Sequence, residues 1–187
     1  MDMNAVRNLG VVLLGIALVS LFCLLVYVTV QQDIRMGAND PQIQWAEDTA
    51  IALHNGETSE TLVPQVAVDI SASLSPFIII FDDAGKPLAS SGALDDKTPV
   101  PPSGVFEYAK SHGQNRLTWQ PKSSVRVAAV ITRYTGTTSG FVLAGRSLRE
   151  IEKRESQLTF EVGLAWIASL IILLLMSGLF MHRSKDI

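Results

Sequence analysis

Two stretches of the chain carry no charged side chain, Asn8–Gln32 and Val162–Met181, and the sequence between them alternates apolar and polar positions as a globular domain does. The first uncharged stretch contains Leu9–Val30, LGVVLLGIALVSLFCLLVYVTV, 22 apolar or weakly polar residues. At 1.5 Å per residue they make ~33 Å of helix, enough for a hydrocarbon core of ~30 Å. A cleaved signal peptide has an apolar region of only ~7–15 residues followed by a small-x-small cleavage site. This stretch is longer and ends Val28-Thr29-Val30-Gln31, so it reads as a span. The second, VGLAWIASLIILLLMSGLFM, is followed by His182, Arg183 and Lys185 and reads as another.

Between the spans the pattern predicts discrete elements. Asn39-Asp40-Pro41 is a helix start, with Asp40 as N-cap and Pro41 at the first helical position. The helix would run from Pro41 to about His54, with Ile43, Ala46, Ala50 and Leu53 on one face and Asn55-Gly56 as its stop. Residues Thr61 to Leu74 read as a second short helix. Phe77-Ile78-Ile79-Ile80-Phe81 is a β-branched and aromatic strand, Asp82-Asp83-Ala84-Gly85-Lys86 is turn chemistry, and Pro87 to Gly92 is a second strand. Pro99, Pro101 and Pro102 stiffen a loop. Ser103 to His112 reads as a short helix turning Val105, Phe106 and Ala109 inward, with Gly113 as its stop. Strands follow at Asn115–Gln120, Val125–Tyr134 and Gly140–Gly145. A last helix is expected to run unbroken from Ser147 to about Met181.

Composition and charge narrow the class. The chain has 187 residues, 48% hydrophobic and 18% charged. The segment Gln31–Glu161 holds 12 Lys/Arg and 16 Asp/Glu, a net of −4. Two spans and one small domain exclude a large multidomain enzyme and a bundle of spans enclosing a transport path. A slightly acidic domain has no basic nucleic-acid footprint, so no nucleic-acid partner is expected. The expected organisation is a tail over 1–8, a transmembrane helix over 9–30, an outer domain over 31–160, a second transmembrane helix over 161–181 and a tail over 182–187. Positive charge in the short flanks, Arg7 on one side and Arg183 and Lys185 on the other, favours both ends in the cytoplasm and the domain outside. Tails this short would hold no output module, so a signal would pass through a separate membrane protein. The single cysteine, Cys23, sits mid-span and reads as packing. Palmitoylation usually takes juxtamembrane cysteines instead.

The order helix, strand-turn-strand, short helix, three strands and an outgoing helix resembles the extracytoplasmic PAS-like sensor domains called Cache domains. The resemblance is carried by Pro76 to Gly92, in which a hydrophobic strand ends in Asp82-Asp83-Ala84-Gly85 and the next strand begins at once. It is carried also by Gly140-Phe141-Val142-Leu143-Ala144-Gly145-Arg146-Ser147-Leu148, similar to a final sheet strand leading into the outgoing helix. It covers about Pro41 to Gln157. It implies an α+β fold: a PAS/Cache-like five-stranded antiparallel sheet with a long N-terminal helix, between two transmembrane helices.

Candidate chemistry is sparse. His54 and His112 end helices, where a cation suits the macrodipole, and His182 flanks a span. Asp82-Asp83 and Asp95-Asp96 read as turn residues rather than a calcium site. No His-x-x-x-His, Cys-x-x-Cys or Gly-x-Ser-x-Gly occurs, and no catalytic residue, metal, cofactor or enzyme activity is expected. The candidate ligand-binding residues are Arg116, Trp119, Arg126, Arg133 and Tyr134, on the strands that the resemblance places at the ligand concavity. Arg offers a planar fork for carboxylates, and Trp offers an apolar wall with one donor. By period-two alternation Arg126 falls in line with Ala128 and Val130, so it must find an anion or cover that row with its stem. Arg146, Ser147 and Glu150 form the candidate relay junction, with Ser147 and Glu150 spaced as a capping box. Leu148, Ile151, Glu155, Leu158 and Val162 make a stripe that suits either a homodimer seam or packing on the first helix of the same chain. Ala165 and Ser169 form a small-residue face in the second span. The expected function is a membrane-anchored extracytoplasmic sensor that binds a small solute, of which a carboxylate is one candidate, and relays to a membrane partner. The alternative is a ligandless docking module for a membrane kinase, transporter or envelope enzyme.

Overall fold

The computed structural model describes residues 3–37 and 40–183. Asn39 and Lys185 therefore lie outside the described residues. The chain divides into two compact units, Met1–Ile34 with Lys153–Ile187, and Arg35–Glu152.

The second unit is α+β. Helix α2 spans Asp40–His54 and buries Gln42, Ala46, Thr49, Ala50 and Leu53. Ile43 is only partly buried against this cluster. Strands β2 (Phe77–Asp82), β3 (Pro87–Ser90), β5 (Gln114–Lys122), β6 (Val125–Thr135) and β7 (Ser139–Ser147) form one antiparallel sheet in the order β3-β2-β7-β6-β5. Helix α4 spans Ser103–His112.

Both faces of the sheet are covered, which explains the unbroken apolar run Phe77–Phe81. A strand buried on two sides has no polar alternate positions. Phe77, Ile79 and Phe81 pack with Phe106 and Ala109 of α4, together with Trp119, Val127, Ala129, Ile131, Phe141 and Leu143. Ile78 and Ile80 pack with Ala46, Ala50 and Leu53 of α2, together with Val130, Tyr134, Val142 and Ala144. Phe106 is the keystone of the α4 face. Its ring meets Phe81 edge-on with centroids 5.1 Å apart, and Phe141 at 5.2 Å.

Asp82 shapes the β2–β3 turn. Its Oδ1 accepts the amides of Ala84 (3.0 Å) and Lys86 (2.8 Å), and Gly85 supplies the left-handed step at φ 79°.

The segment expected as a helix from Thr61 to Leu74 is different. Only one turn, α3 (Ser59–Leu62), is helical, and β1 (Val68–Asp69) then pairs in parallel with β4 (Gly92–Ala93). Pro64 explains the stop, because its ring disfavours the α conformation of the residue before it and removes a donor. The strand expected to reach Gly92 ends at Ser90 for a different reason. The Ser91 side chain accepts the Ile78 amide at 3.0 Å, and the backbone beyond turns to β1.

In the first unit, α1 (Met3–Gly37) and α5 (Arg149–Arg183) supply two antiparallel helical segments. Three pairs mark the direction. Leu173 fills the space over Gly15, where an added Cβ would meet its Cδ1 at 2.7 Å. Trp166 Nε1 donates to Ser20 Oγ at 2.9 Å, and Thr159 Oγ1 donates to Tyr27 Oη at 3.5 Å. Val162 lines a groove with Ser20, Cys23 and Tyr27, so that part of the apolar stripe lies along α1 of the same chain. Among the described residues, two helical segments are long and apolar enough to cross a membrane, their most apolar stretches having mean hydropathies of 3.0 and 2.4.

Candidate functional site

The five residues expected to share a ligand concavity are not gathered into one site, and only Arg133 and Tyr134 line a common cleft. Strand parity separates them. Trp119 pairs with Val127, and Arg133 with Phe141, so both belong to the α4 face. Arg116 pairs with Val130, and Arg126 and Tyr134 share the parity of Val130, so these three belong to the α2 side. Even on one face the distances are long. Val127 and Arg133 are six residues apart on β6, roughly 20 Å at ~3.3 Å per residue.

Each of the five has a local role. Trp119 is 6% exposed and packed in the aromatic core. Tyr134 is buried against α2, where its hydroxyl donates to the Phe81 carbonyl at 3.5 Å. It also lines an open cleft of about 350 Å³ at the end of β6, with Glu47, Ala50, His54, Thr132 and its own neighbour Arg133, so these two candidates do share one opening. Burial pushes the Tyr134 phenol above its ordinary value, opposed by a hydrogen bond with Thr138. Arg116 Nε donates to Gln114 Oε1 at 3.0 Å, and Gln114 Nε2 donates to Glu47 at 2.9 Å. Arg133 donates to the Lys110 carbonyl at 3.1 Å and stands 3.8 Å from Asp83. Its Nε is buried with no hydrogen-bond partner among the described residues. Lys110 meets Asp83 at 2.6 Å, and that hydrogen bond holds the Asp83 carboxyl below its usual value, with Arg133 adding to the effect.

Arg126 departs most from expectation. Ala128 and Val130 are buried, but Arg126 stands at the start of β6 with its side chain half exposed. Its anion is Glu152, in the first turn of α5. The main chain joins at the same point. The amide of Leu148 donates to the Arg126 carbonyl at 2.9 Å, and the amide of Glu152 donates to the Leu148 carbonyl at 2.9 Å. The Leu148 carbonyl thus starts the helix, and Ser147 lies one residue earlier than a capping box requires. Its Oγ accepts the amide of Arg149 at 3.3 Å, while Glu150 makes no return bond to it among the described residues.

Two further arginines tie the helix start to the segment before β2. Arg149 NH2 donates to the Ala72 carbonyl at 2.7 Å, and Arg146 Nε to the Leu74 carbonyl at 3.3 Å. That segment is itself held by Asp69, which accepts the amide of Ser71 at 2.8 Å and its hydroxyl at 2.6 Å. These bonds depress the Asp69 carboxyl below its ordinary value. A cavity of about 70 Å³ opens between these parts, lined by Arg126, Arg149, Glu152 and the hydroxyl-bearing Ser71, Ser124 and Ser147.

The expected junction of Arg146, Ser147 and Glu150 is therefore only part of the structure there. Arg126, Arg149 and Glu152 carry most of its charge. Arg126 and Glu152 are 26 residues apart in sequence, and no local pattern joins them. The available signal was the requirement that Arg126 find an anion. No family model, curated protein or solved structure matches this chain.

Proposed function

We propose that this is a membrane-anchored, PAS/Cache-like relay domain. In this reading α1 and α5 cross the bilayer, Arg7, Arg183 and Lys185 keep both flanks in the cytoplasm, and the sheet domain stands outside. The state of the domain passes along α5 to a membrane protein partner. The carrying observation is the set of ties between the sheet domain and the first turn of α5, a helix that continues without interruption from Arg149 to Arg183. A change at the sheet edge alters the anchorage of the same helix that contains the second apolar stretch. The element order and the two-sided sheet support the PAS/Cache-like assignment.

Spin labels test the relay in the full chain in lipid nanodiscs. Cys23 is first replaced by serine, and labels are placed at Val28 and Phe160, both exposed. Arg126→Ala is expected to shift or broaden the distance between the labels relative to the parent. An unchanged distribution removes the support for relay. Reporter fusions at either end test the orientation.

A second reading, a docking module without a core ligand, is favoured by the α4 face. Phe81, Phe106 and Phe141 fill the space between sheet and helix where a buried solute would sit. A stoichiometric partner cross-linked in membranes, with no small-molecule response of the domain, would favour it.

A further inference from the structure

We infer that the cavity at the start of α5 is a binding site for a small carboxylate, and that Glu152 is its resident competitor. The site deepens the relay proposal: its chemistry stands alone, while its effect on the membrane helix rests on that proposal.

The argument begins with charge. Two guanidinium groups and one carboxylate line the cavity, so one positive charge is left over. Each guanidinium offers five donors in a planar fork. Arg126 spends NH1 on Glu152, and Arg149 spends NH2 on the Ala72 carbonyl. The remaining donors are available to a second anion. Ser71, Ser124 and Ser147 add hydroxyls. Asp69, two residues before Ser71, has its Oδ1 occupied by that residue's amide and hydroxyl.

Size sets the ligand class. About 70 Å³ holds a carboxylate with one to three carbons. It is far below the roughly 300–1,000 Å³ of pockets for drug-sized ligands. Glu152 shows the chemistry, because its side chain is a short carboxylate already seated on Arg126. The pair is solvent-accessible, with side chains 50% and 39% exposed, so it is held weakly and Glu152 can move into water. A free carboxylate then bridges Arg126 and Arg149. The first turn of α5 keeps its main-chain bond to Arg126 and loses its side-chain tie.

The competition predicts opposite signs for two substitutions. Titration calorimetry is run on the full chain in nanodiscs with sodium acetate and sodium propionate, with acetamide as the neutral isostere and inorganic phosphate as the other oxyanion. Glu152→Gln keeps the shape and removes the competitor, so acetate should bind tighter by up to about fivefold. Arg126→Ala removes the fork, and binding should weaken by about tenfold or more. Arg126→Lys should recover only part of it, since an ammonium is a point charge. Acetamide should not bind. The site is overturned if wild type and Glu152→Gln both ignore acetate and propionate, if Glu152→Gln binds no tighter than wild type, or if phosphate alone binds. The label distance between α1 and α5 separates the two claims. Acetate binding in the predicted order with no change in distance sinks the relay and leaves the site. A distance change in Arg126→Ala with no acetate binding does the reverse.

Discussion

The amide of Leu148 donates to the carbonyl of Arg126 across 2.9 Å, extending the β6–β7 ladder one residue beyond the strand and into the start of α5. Leu148 itself is buried, at 8% exposed. The strand that presents Arg126 to Glu152 therefore also holds the backbone from which the helix begins. Sheet and helix share one bonded junction rather than a loose linker.

The side-chain half of that junction should contribute little to stability. The Arg126–Glu152 pair is exposed, and such pairs are worth ~0–1 kcal/mol. A double-mutant cycle with Arg126→Ala and Glu152→Ala, followed by urea denaturation, should return a coupling in that range. A coupling several-fold larger would mean that the pair is a structural clamp and not a displaceable contact.

Phe106 should be among the costliest side chains to remove. Its ring joins Phe81 and Phe141, and all three are buried in one cluster. Phe106→Ala is expected to lower unfolding free energy by ~3–5 kcal/mol through lost burial and the cavity left behind. Tyr108, on the same helix but 49% exposed, provides the contrast. Tyr108→Ala should change stability far less in the same denaturation series.

Gly140 cannot accept a side chain cheaply. An added Cβ would lie 2.8 Å from the Tyr134 hydroxyl oxygen and closer still to the Phe81 carbonyl, which belongs to a neighbouring strand. Gly140→Ala should destabilise by ~1–3 kcal/mol. Gly104, where an added Cβ meets nothing within 4 Å, is the control. Equal melting temperatures for the two variants would show that β2 and β7 can separate without cost.

Acid and alkali should act through different residues. Asp83 has its carboxyl depressed by the Lys110 hydrogen bond, so its favourable contribution is present above the ordinary value near 3.8 and is lost as pH falls through the folded value. Asp83→Asn should flatten stability against pH below about 4. Tyr134 is raised by burial, so its neutral form favours folding below the ordinary value of 10.0, and stability falls as pH rises beyond it. Tyr134→Phe should weaken the alkaline loss. Denaturant midpoints at acid, neutral and alkaline pH read both, and unchanged pH profiles in the two variants would refute these assignments.

The bond between Trp166 and Ser20 links the two apolar helices. In the proposed bilayer setting, a hydrogen bond between helices is worth ~0.6–2 kcal/mol. A cycle with Trp166→Phe and Ser20→Ala, unfolded by a denaturing detergent, should give a coupling in that range. Zero coupling would show that α1 and α5 associate by packing alone.

Most elements of the fold were legible locally. The uncharged runs mark the apolar helices because about twenty consecutive residues without a charge leave no polar face. The run Phe77–Phe81 and the turn Asp82–Lys86 mark β2 and its hairpin because a buried strand and a left-handed step each require particular side chains. The site was less legible. Arg116, Trp119, Arg126, Arg133 and Tyr134 look alike as a set, yet odd and even positions on paired strands face opposite ways. Only the register showed that Trp119 packs in the α4 core while Tyr134 packs under α2.

Sequence by itself thus determined the chain's local commitments: two long apolar helices, an α+β middle, the Asp82 turn and an arginine on β6 in need of an anion. These follow from solvation and backbone preference, which act within a few residues. Tertiary structure alone decided which anion Arg126 meets, which face each candidate joins, and that a serine-lined cavity forms where β6, the Ser71 turn and α5 converge. Those outcomes depend on strand register and on contacts between residues 26 to 77 positions apart, a separation at which no pattern of neighbouring side chains carries information.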